Sequence, residues 1–261
     1  DYSLLKEMTN EYNYKNNVAT ITLGENEMID ELIISSSDNM IDKDTIEQYL
    51  DLINKDQSAA WLSFDGAYTK LPYSIEPSTT EGYGRNPGRL AEKHLFALFI
   101  NTENKLLESM LLSSLHILDK YIPTYSNNVW LTEYTSTWLK KDYDTKAHYF
   151  DTRHNDTISI YIEEINKYLK NTTLSEWENA YDDFLVLTYK LKNGTNIYSE
   201  GKLALDYYSN HTGELKTHSS LNHQLAIINS LYNAYVKTKN KEYKKVADEY
   251  LNTIITIGDK W

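Results

Sequence analysis

Residues 96–118 return at residues 232–254 with a constant offset of 136 positions. Phe96, Phe99, Thr102, Asn104, Lys105, Leu107, Leu115 and Leu118 match Tyr232, Tyr235, Thr238, Asn240, Lys241, Tyr243, Leu251 and Ile254. Each copy reads as an amphipathic helix, a Thr-x-Asn-Lys turn and a second amphipathic helix. The Thr and Asn can bond amides left free where the second helix opens. Such a hairpin cannot bury its apolar faces alone. It therefore predicts neighbours in a bundle, solenoid or toroid, and two equivalent turns on one rim.

Other segments carry the same helical period. Arg89 to Ile100, Asn104 to Tyr121, Ile158 to Leu169, Leu174 to Leu191, Ser219 to Val236 and Lys241 to Ile257 are predicted helices. Leu4 to Tyr12 and Asp44 to Ile53 read as helices near the N-terminus, and Val18 to Leu23 alternates like a strand. Gln57 to Gly88 breaks the pattern: it holds Pro72, Pro77 and Pro87 and reads as a long loop. Within it Trp61-Leu-Ser-Phe and Ala67-Tyr-Thr predict a short β-hairpin. The expected fold is mainly α: stacked antiparallel helical hairpins in an incomplete α/α toroid. Residues 1–84 are expected to pack across it, and residues 85–261 to form it.

Composition removes several function classes. A formal net charge of −12 argues against nucleic acid and anionic membrane as partners, since both require a basic face. No run approaches the roughly 18 apolar residues of a membrane span. The absence of cysteine excludes disulfides, thiolate metal sites and cysteine nucleophiles. No histidine pair has zinc-type helical spacing with a third ligand nearby, and no glycine-rich phosphate loop follows a strand. No metal and no cofactor are expected. The chain starts at Asp1, as a processed or trimmed protein would, which fits an extracellular or cell-surface location.

The chain has three arginines, and all fall in two short polar clusters. Arg85 and Arg89 lie in Tyr83-Gly-Arg-Asn-Pro-Gly-Arg89, and Arg153 lies in Asp151-Thr-Arg-His-Asn-Asp156. Arginine grips a carboxylate through two parallel hydrogen bonds, whereas lysine is a point charge. A lysine-rich chain that keeps arginine at such points needs the planar fork there, either for an acidic ligand or to tether two loops.

From about Arg85 onward the order of motifs resembles the C-terminal helical domain of D-glucuronyl C5-epimerases. The likeness is carried by Leu95-Phe-Ala-Leu-Phe-Ile-Asn-Thr-Glu-Asn-Lys, Trp130-Leu-Thr-Glu-Tyr134, Lys192-Asn-Gly-Thr-Asn-Ile-Tyr198 and His218-Ser-Ser-Leu-Asn-His-Gln224. One departure stands out. The family follows its Ile-Tyr with Asp-Leu-Arg-His, whereas Tyr198 is followed here by Ser199-Glu-Gly-Lys202. The chain's own Asp-x-Arg-His lies earlier, at Asp151 to His154.

The resemblance implies proton abstraction at C5 of a uronic acid in an acidic polysaccharide. That step needs an acid, a base and positive charge on the sugar carboxylate. Glu133 and Tyr198 are the implied acid–base pair, with Arg153 and His154 on the uronate. Arg85, Tyr83, Trp130, Tyr134, Asn222 and His218 are the implied substrate contacts, with Trp130 and Tyr134 as a stacking wall. Glu133 can instead cap the helix running to Lys141, with Trp130 filling the core beneath it. A polysaccharide lyase needs nearly the same residues, a glycoside hydrolase needs a carboxylate pair, and a glycan-binding domain needs no chemistry. The sequence does not fix the oligomeric state.

Overall fold

The computed structural model describes residues 93–121, 128–169, 175–209 and 216–260, with short pieces upstream at 13–15, 18–20, 37–38, 43–44, 47–48, 61–63, 66–70, 75–76 and 83–85. The protein is mainly helical, with small antiparallel strand pairs between the helices. The expected helix from Leu4 to Tyr12 lies outside the described residues. So does most of the one from Asp44 to Ile53.

Residues 43–44 and 47–48 are helical, at the start of that expected helix, and the named upstream elements are strands. β1 (Asn13–Lys15) pairs with β2 (Val18–Thr20). β3 (Trp61–Ser63) pairs with β4 (Gly66–Lys70) in the register Trp61↔Tyr68, the short hairpin expected of Trp61-Leu-Ser-Phe and Ala67-Tyr-Thr. β5 (Ile75–Glu76) is followed by β6 (Tyr83–Arg85), which lies on the other side of β4.

The first repeat is α1 (Lys93–Thr102) and α2 (Lys105–Tyr121). Then come β7 (Leu131–Thr132), β8 (Thr135–Ser136), α3 (Thr137–Tyr143) and β9 (Tyr149–Asp151). α4 (Thr152–Leu169) and α5 (Ala180–Lys190) follow. β10 (Thr195–Tyr198), β11 (Gly201–Ala204) and β12 (Tyr207–Tyr208) lead to the second repeat, α6 (Leu221–Thr238) and α7 (Lys241–Ile257). β9 is the centre of a three-stranded sheet ordered β12-β9-β7. β5 pairs with β8, so residues 1–84 share backbone hydrogen bonds with the helical portion.

The two repeat turns are built alike. Glu103 and Lys239 both take the left-handed conformation, at φ 50° and 61°. Their amides donate to Phe99 O at 2.7 Å and Tyr235 O at 2.8 Å. Thr102 and Thr238 hydroxyls donate back one turn, to Leu98 O and Ala234 O. Asn104 and Asn240 side chains accept from Leu106 N at 2.8 Å and Glu242 N at 3.1 Å. These bonds satisfy amides that a helix start leaves open.

Each hairpin closes its own core. Phe96, Phe99, Leu107, Leu111, Leu115 and Leu118 pack with Trp130 and with Ile158, Ile162 and Ile165 of α4. Ile227, Leu231, Tyr243, Val246 and Tyr250 pack with Tyr181, Phe184 and Leu185 of α5, Phe150 of β9 and Leu203 of β11. Each fully buried leucine or isoleucine contributes about 1.5–3 kcal/mol relative to leaving it in water. α4 and β9 lie between the two cores, and there the chain concentrates its polar residues.

Two expected boundaries move. The predicted helix from Ile158 begins at Thr152, because Asp151 accepts Arg153 N at 2.9 Å and His154 N at 3.2 Å and so caps it. The Asp-Thr-Arg-His cluster is thus a helix start. The predicted helix from Leu174 begins at Ala180, after a 3₁₀ turn at Ser175–Trp177.

Candidate functional site

Asp206 is the hub of the polar cluster. It follows β11 and is fully buried. Its carbonyl accepts from Thr152 N at 3.2 Å and Thr152 Oγ1 at 3.0 Å, at the start of α4. Its carboxylate accepts from Ser220 N at 3.0 Å and from the Ser220 hydroxyl, at the start of α6. The N-terminal ends of two helices therefore meet on one residue. Helix N-termini favour negative charge, so a carboxylate suits this junction. Gln224, also fully buried, exchanges two hydrogen bonds with Ala204 and fixes the strand end that presents Asp206.

Two histidines flank this carboxylate. His218 Nε2 lies 3.2 Å from Asp206 Oδ2, and His218 Nδ1 lies 3.1 Å from the Tyr143 hydroxyl. A carboxylate only accepts, so Nε2 carries hydrogen. In the neutral ring Nδ1 then accepts from the Tyr143 phenol. Asp206, His218 and Tyr143 form a carboxylate–imidazole–phenol chain. His223 stands on the other side, its Nδ1 3.9 Å from Asp206 Oδ1. Burial lowers the His223 pKa, with Arg153 and His218 adding to the shift, while Asp206 and Asp151 oppose it.

An aromatic group adjoins the chain. α3 supplies Trp138 and Tyr143, and β12 supplies Tyr207. The Trp138 ring centroid is 5.9 Å from His218 and 5.8 Å from Tyr207. Trp138 is 39% exposed, so it offers a ring to a solvent-borne ligand. Tyr207 lies opposite Asp151 in the β9–β12 pair and stacks edge-on with Tyr149. Burial raises the Tyr207 pKa, with Asp151 and Asp206 adding to it. Its phenol is held neutral and protonated at ordinary pH.

Arg153 enters from the first turn of α4. It is exposed and forms no ion pair with any described residue. A cation there opposes the helix dipole by roughly 0.3–1 kcal/mol, so helix stability does not explain it. Its charge reaches Tyr207 and His223, lowering the pKa of both. His154, beside it, turns Nδ1 toward Asp151 Oδ2 at 3.6 Å.

The residues predicted from the sequence divide into those near this cluster and those elsewhere. Arg153, His154 and His218 belong to it. Tyr134 is buried and adds to the upward pKa shift of Tyr149 and Tyr207, so it also lies here. Glu133 is half-buried and follows β7, whose Thr132 pairs with Tyr149 at the sheet edge. It does not occupy the N-cap of α3, which is Ser136. Asn222 opens α6 and is exposed.

Trp130 lies in the core, and Tyr198 lies at a hairpin turn. Trp130 is fully enclosed in the first hairpin's core, and its Nε1 donates to Leu118 O at 3.0 Å. Its backbone is clamped on both sides by Asn155. An enclosed ring stacks on no sugar, so the core-filling role holds and the wall role does not. Tyr198 sits at the turn end of the β10–β11 hairpin, whose other end, Thr195↔Ala204, leads to Asp206. The strand rise puts it roughly 10 Å beyond Ala204. That turn presses on α7, where a Cβ on Gly201 would come within 2.2 Å of Thr253 Oγ1. Arg85 and Tyr83 are described only through the pairing of β6 with β4.

Sequence reasoning missed Asp206, Tyr143, His223, Tyr207, Trp138 and Thr152. The signal available was Thr217 to Gln224, a mostly polar run that leads into the first turn of an apolar helix. No metal-binding group of three or more His or carboxylate side chains occurs among the described residues, and none of their helices is long and apolar enough to cross a membrane. No protein-family model matches this chain, and neither does any curated protein or solved structure.

Proposed function

We propose that this protein is a carbohydrate-active enzyme that removes the C5 proton of a uronic-acid residue in an acidic polysaccharide outside the cell or at its surface. The observation that carries the reading is the Tyr143–His218–Asp206 chain beside an arginine with no ion-pair partner among the described residues. As Tyr143 takes the proton from carbon, His218 Nδ1 takes the phenol proton, and Asp206 stabilises the resulting imidazolium. The division of labour is that of a nucleophile, a base and an orienting carboxylate. Arg153 binds the sugar carboxylate and stabilises the charge that forms there. Trp138 supplies a stacking face. The epimerase-like motifs support the same reading, and the two equivalent hairpins fit an incomplete α/α toroid.

The test is incubation with uronic-acid polymers in deuterium oxide. Deuterium at C5, lost in Tyr143→Phe and Arg153→Ala, is the expected result. A new absorbing double bond identifies a lyase, and new reducing ends identify a hydrolase. Binding without any of these products identifies a glycan-binding domain and overturns the proposal.

A further inference from the structure

Thr152 and His223 form a second unit in this cluster that the phenol chain does not use. Thr152 is 2% exposed and His223 is 7% exposed. Thr152 Oγ1 lies 3.0 Å from the Asp206 carbonyl and 2.5 Å from His223 Nδ1. A hydroxyl has one hydrogen, and a carbonyl oxygen can only accept. Both contacts are hydrogen bonds only if the hydroxyl donates to the carbonyl and accepts from Nδ1–H. The Asp206 carboxylate, 3.9 Å from Nδ1, favours hydrogen on that nitrogen too. Nε2 is then the ring's free acceptor, and it has no hydrogen-bond partner among the described residues.

We infer that His223 is a second acid–base group of this site, held by Thr152 as the Nδ1–H tautomer so that Nε2 takes a proton from the ligand. This rests on the proposed uronate chemistry. In the step, the Nε2 lone pair takes a proton, the carbon–hydrogen electrons pass into the sugar carboxylate as an enolate, and an imidazolium forms. Return of that proton to carbon reverses each change. The ring is faced by Asp206 from between β11 and β12, His218 from the segment ahead of α6, Asp151 from β9, Arg153 from α4 and the Tyr207 ring at 5.8 Å from β12. Burial among these groups favours the neutral ring, the form with a lone pair to offer. Thr152 is the positioning residue and acts through His223.

The experiment uses the full chain with ¹⁵N-labelled histidine, and His223→Gln identifies the signal. The wild-type ring is expected to show a protonated Nδ1 and a bare Nε2. Thr152→Val should move the population toward Nε2–H and slow C5 deuterium exchange by roughly a hundredfold. Thr152→Ser, which keeps the hydroxyl, should restore both. An Nε2–H ring in the wild type overturns the inference. So does a Thr152→Val protein with unchanged tautomer and exchange. A wild type with the expected tautomer but no exchange on any uronate polymer sinks the uronate chemistry instead. The tautomer is read without substrate, so the two failures are distinguishable.

Discussion

The two helical hairpins share a turn but not a role. Around Glu103 and Lys239 the backbone conformation, the threonine back-bond and the asparagine side-chain bond coincide. Upstream they part. Among the described residues α1 runs 10 residues before its turn and α6 runs 18. The first turn of α6 carries His223 and Gln224, where the first copy has Pro87 and Gly88, and the segment just ahead carries His218 and Ser220. In the first copy the position equivalent to Leu221 is Arg85, which ends β6. The repeat thus supplies a packing unit, and the candidate site gathers at the start of the second copy. A fold element can be duplicated for its core while only one copy acquires chemistry.

The sharpest way to break that comparison is to remove the hub. Asp206→Asn keeps the shape but weakens the pull on His218 and reverses part of the bonding to Ser220. We expect C5 exchange to fall by about 10³–10⁴, as when a triad carboxylate is neutralised. Both hairpin turns should survive, as read by amide exchange protection at Glu103 and Lys239. Retained exchange activity would show that the polar cluster at α6 serves structure alone.

Core truncation comes next. Leu111 and Leu231 are each fully buried, one in each hairpin core. Leu→Ala at either site should cost about 2–5 kcal/mol in denaturant unfolding. The two should differ in activity. Leu231→Ala lies in the helix that presents His223 and should slow exchange in the still-folded protein. Leu111→Ala should leave the rate per folded molecule unchanged. Equal losses of activity would mean the hairpins are not functionally separate.

A third test uses pH. Asp182 on α5 is 4% exposed and accepts one described hydrogen bond, from Ser230 Oγ on α6 at 2.8 Å. Burial raises its pKa to about 7; Asp156 and Asp183 add to this, while Ser230 and Lys237 oppose it. A carboxyl whose folded value is raised contributes stability that is full below its unfolded value near 4 and is lost as pH rises through about 7. Asp182→Asn should remove that loss, flattening stability between pH 4 and 8 by a few kcal/mol relative to the wild type. The first hairpin has no such carboxyl among its described buried residues, so a slope unchanged in the variant would place the pH response elsewhere.

The repeat was legible because helical period and turn chemistry are local. Thr102-Glu-Asn104 and Thr238-Lys-Asn240 state their hydrogen bonds in three residues. Arg153 was legible as well, since composition made it conspicuous. Its setting was not, because Asp151 reads equally as a loop residue and as a helix cap. Asp206 was hidden for a different reason. Its partners Thr152 and Ser220 come from distant segments, and only the fold brings two helix starts together. Trp130 misled because an aromatic beside polar residues looks the same in sequence whether it faces a ligand or a core. Its enclosure follows from Asn155, whose side chain binds its backbone across 25 positions.

The smallest expected effect tests whether the two turns are energetically as well as geometrically equivalent. Asn104→Ala and Asn240→Ala each remove the side-chain acceptor for an open amide at a helix start. Such a cap is worth about 1 kcal/mol, with a range of roughly 0.5–2. Solvent access sets where in the range each falls, because water can replace a lost acceptor. The Asn240 bond is exposed at 3.1 Å, while the Asn104 bond is half-buried at 2.8 Å. Asn104→Ala should therefore cost slightly more. The two turns share no bonding partner, so the double variant should lose the sum of the single losses within about 0.5 kcal/mol. A markedly larger or smaller combined loss in denaturant unfolding would show that the hairpins are coupled, against the picture of two self-contained packing units joined through α4 and β9.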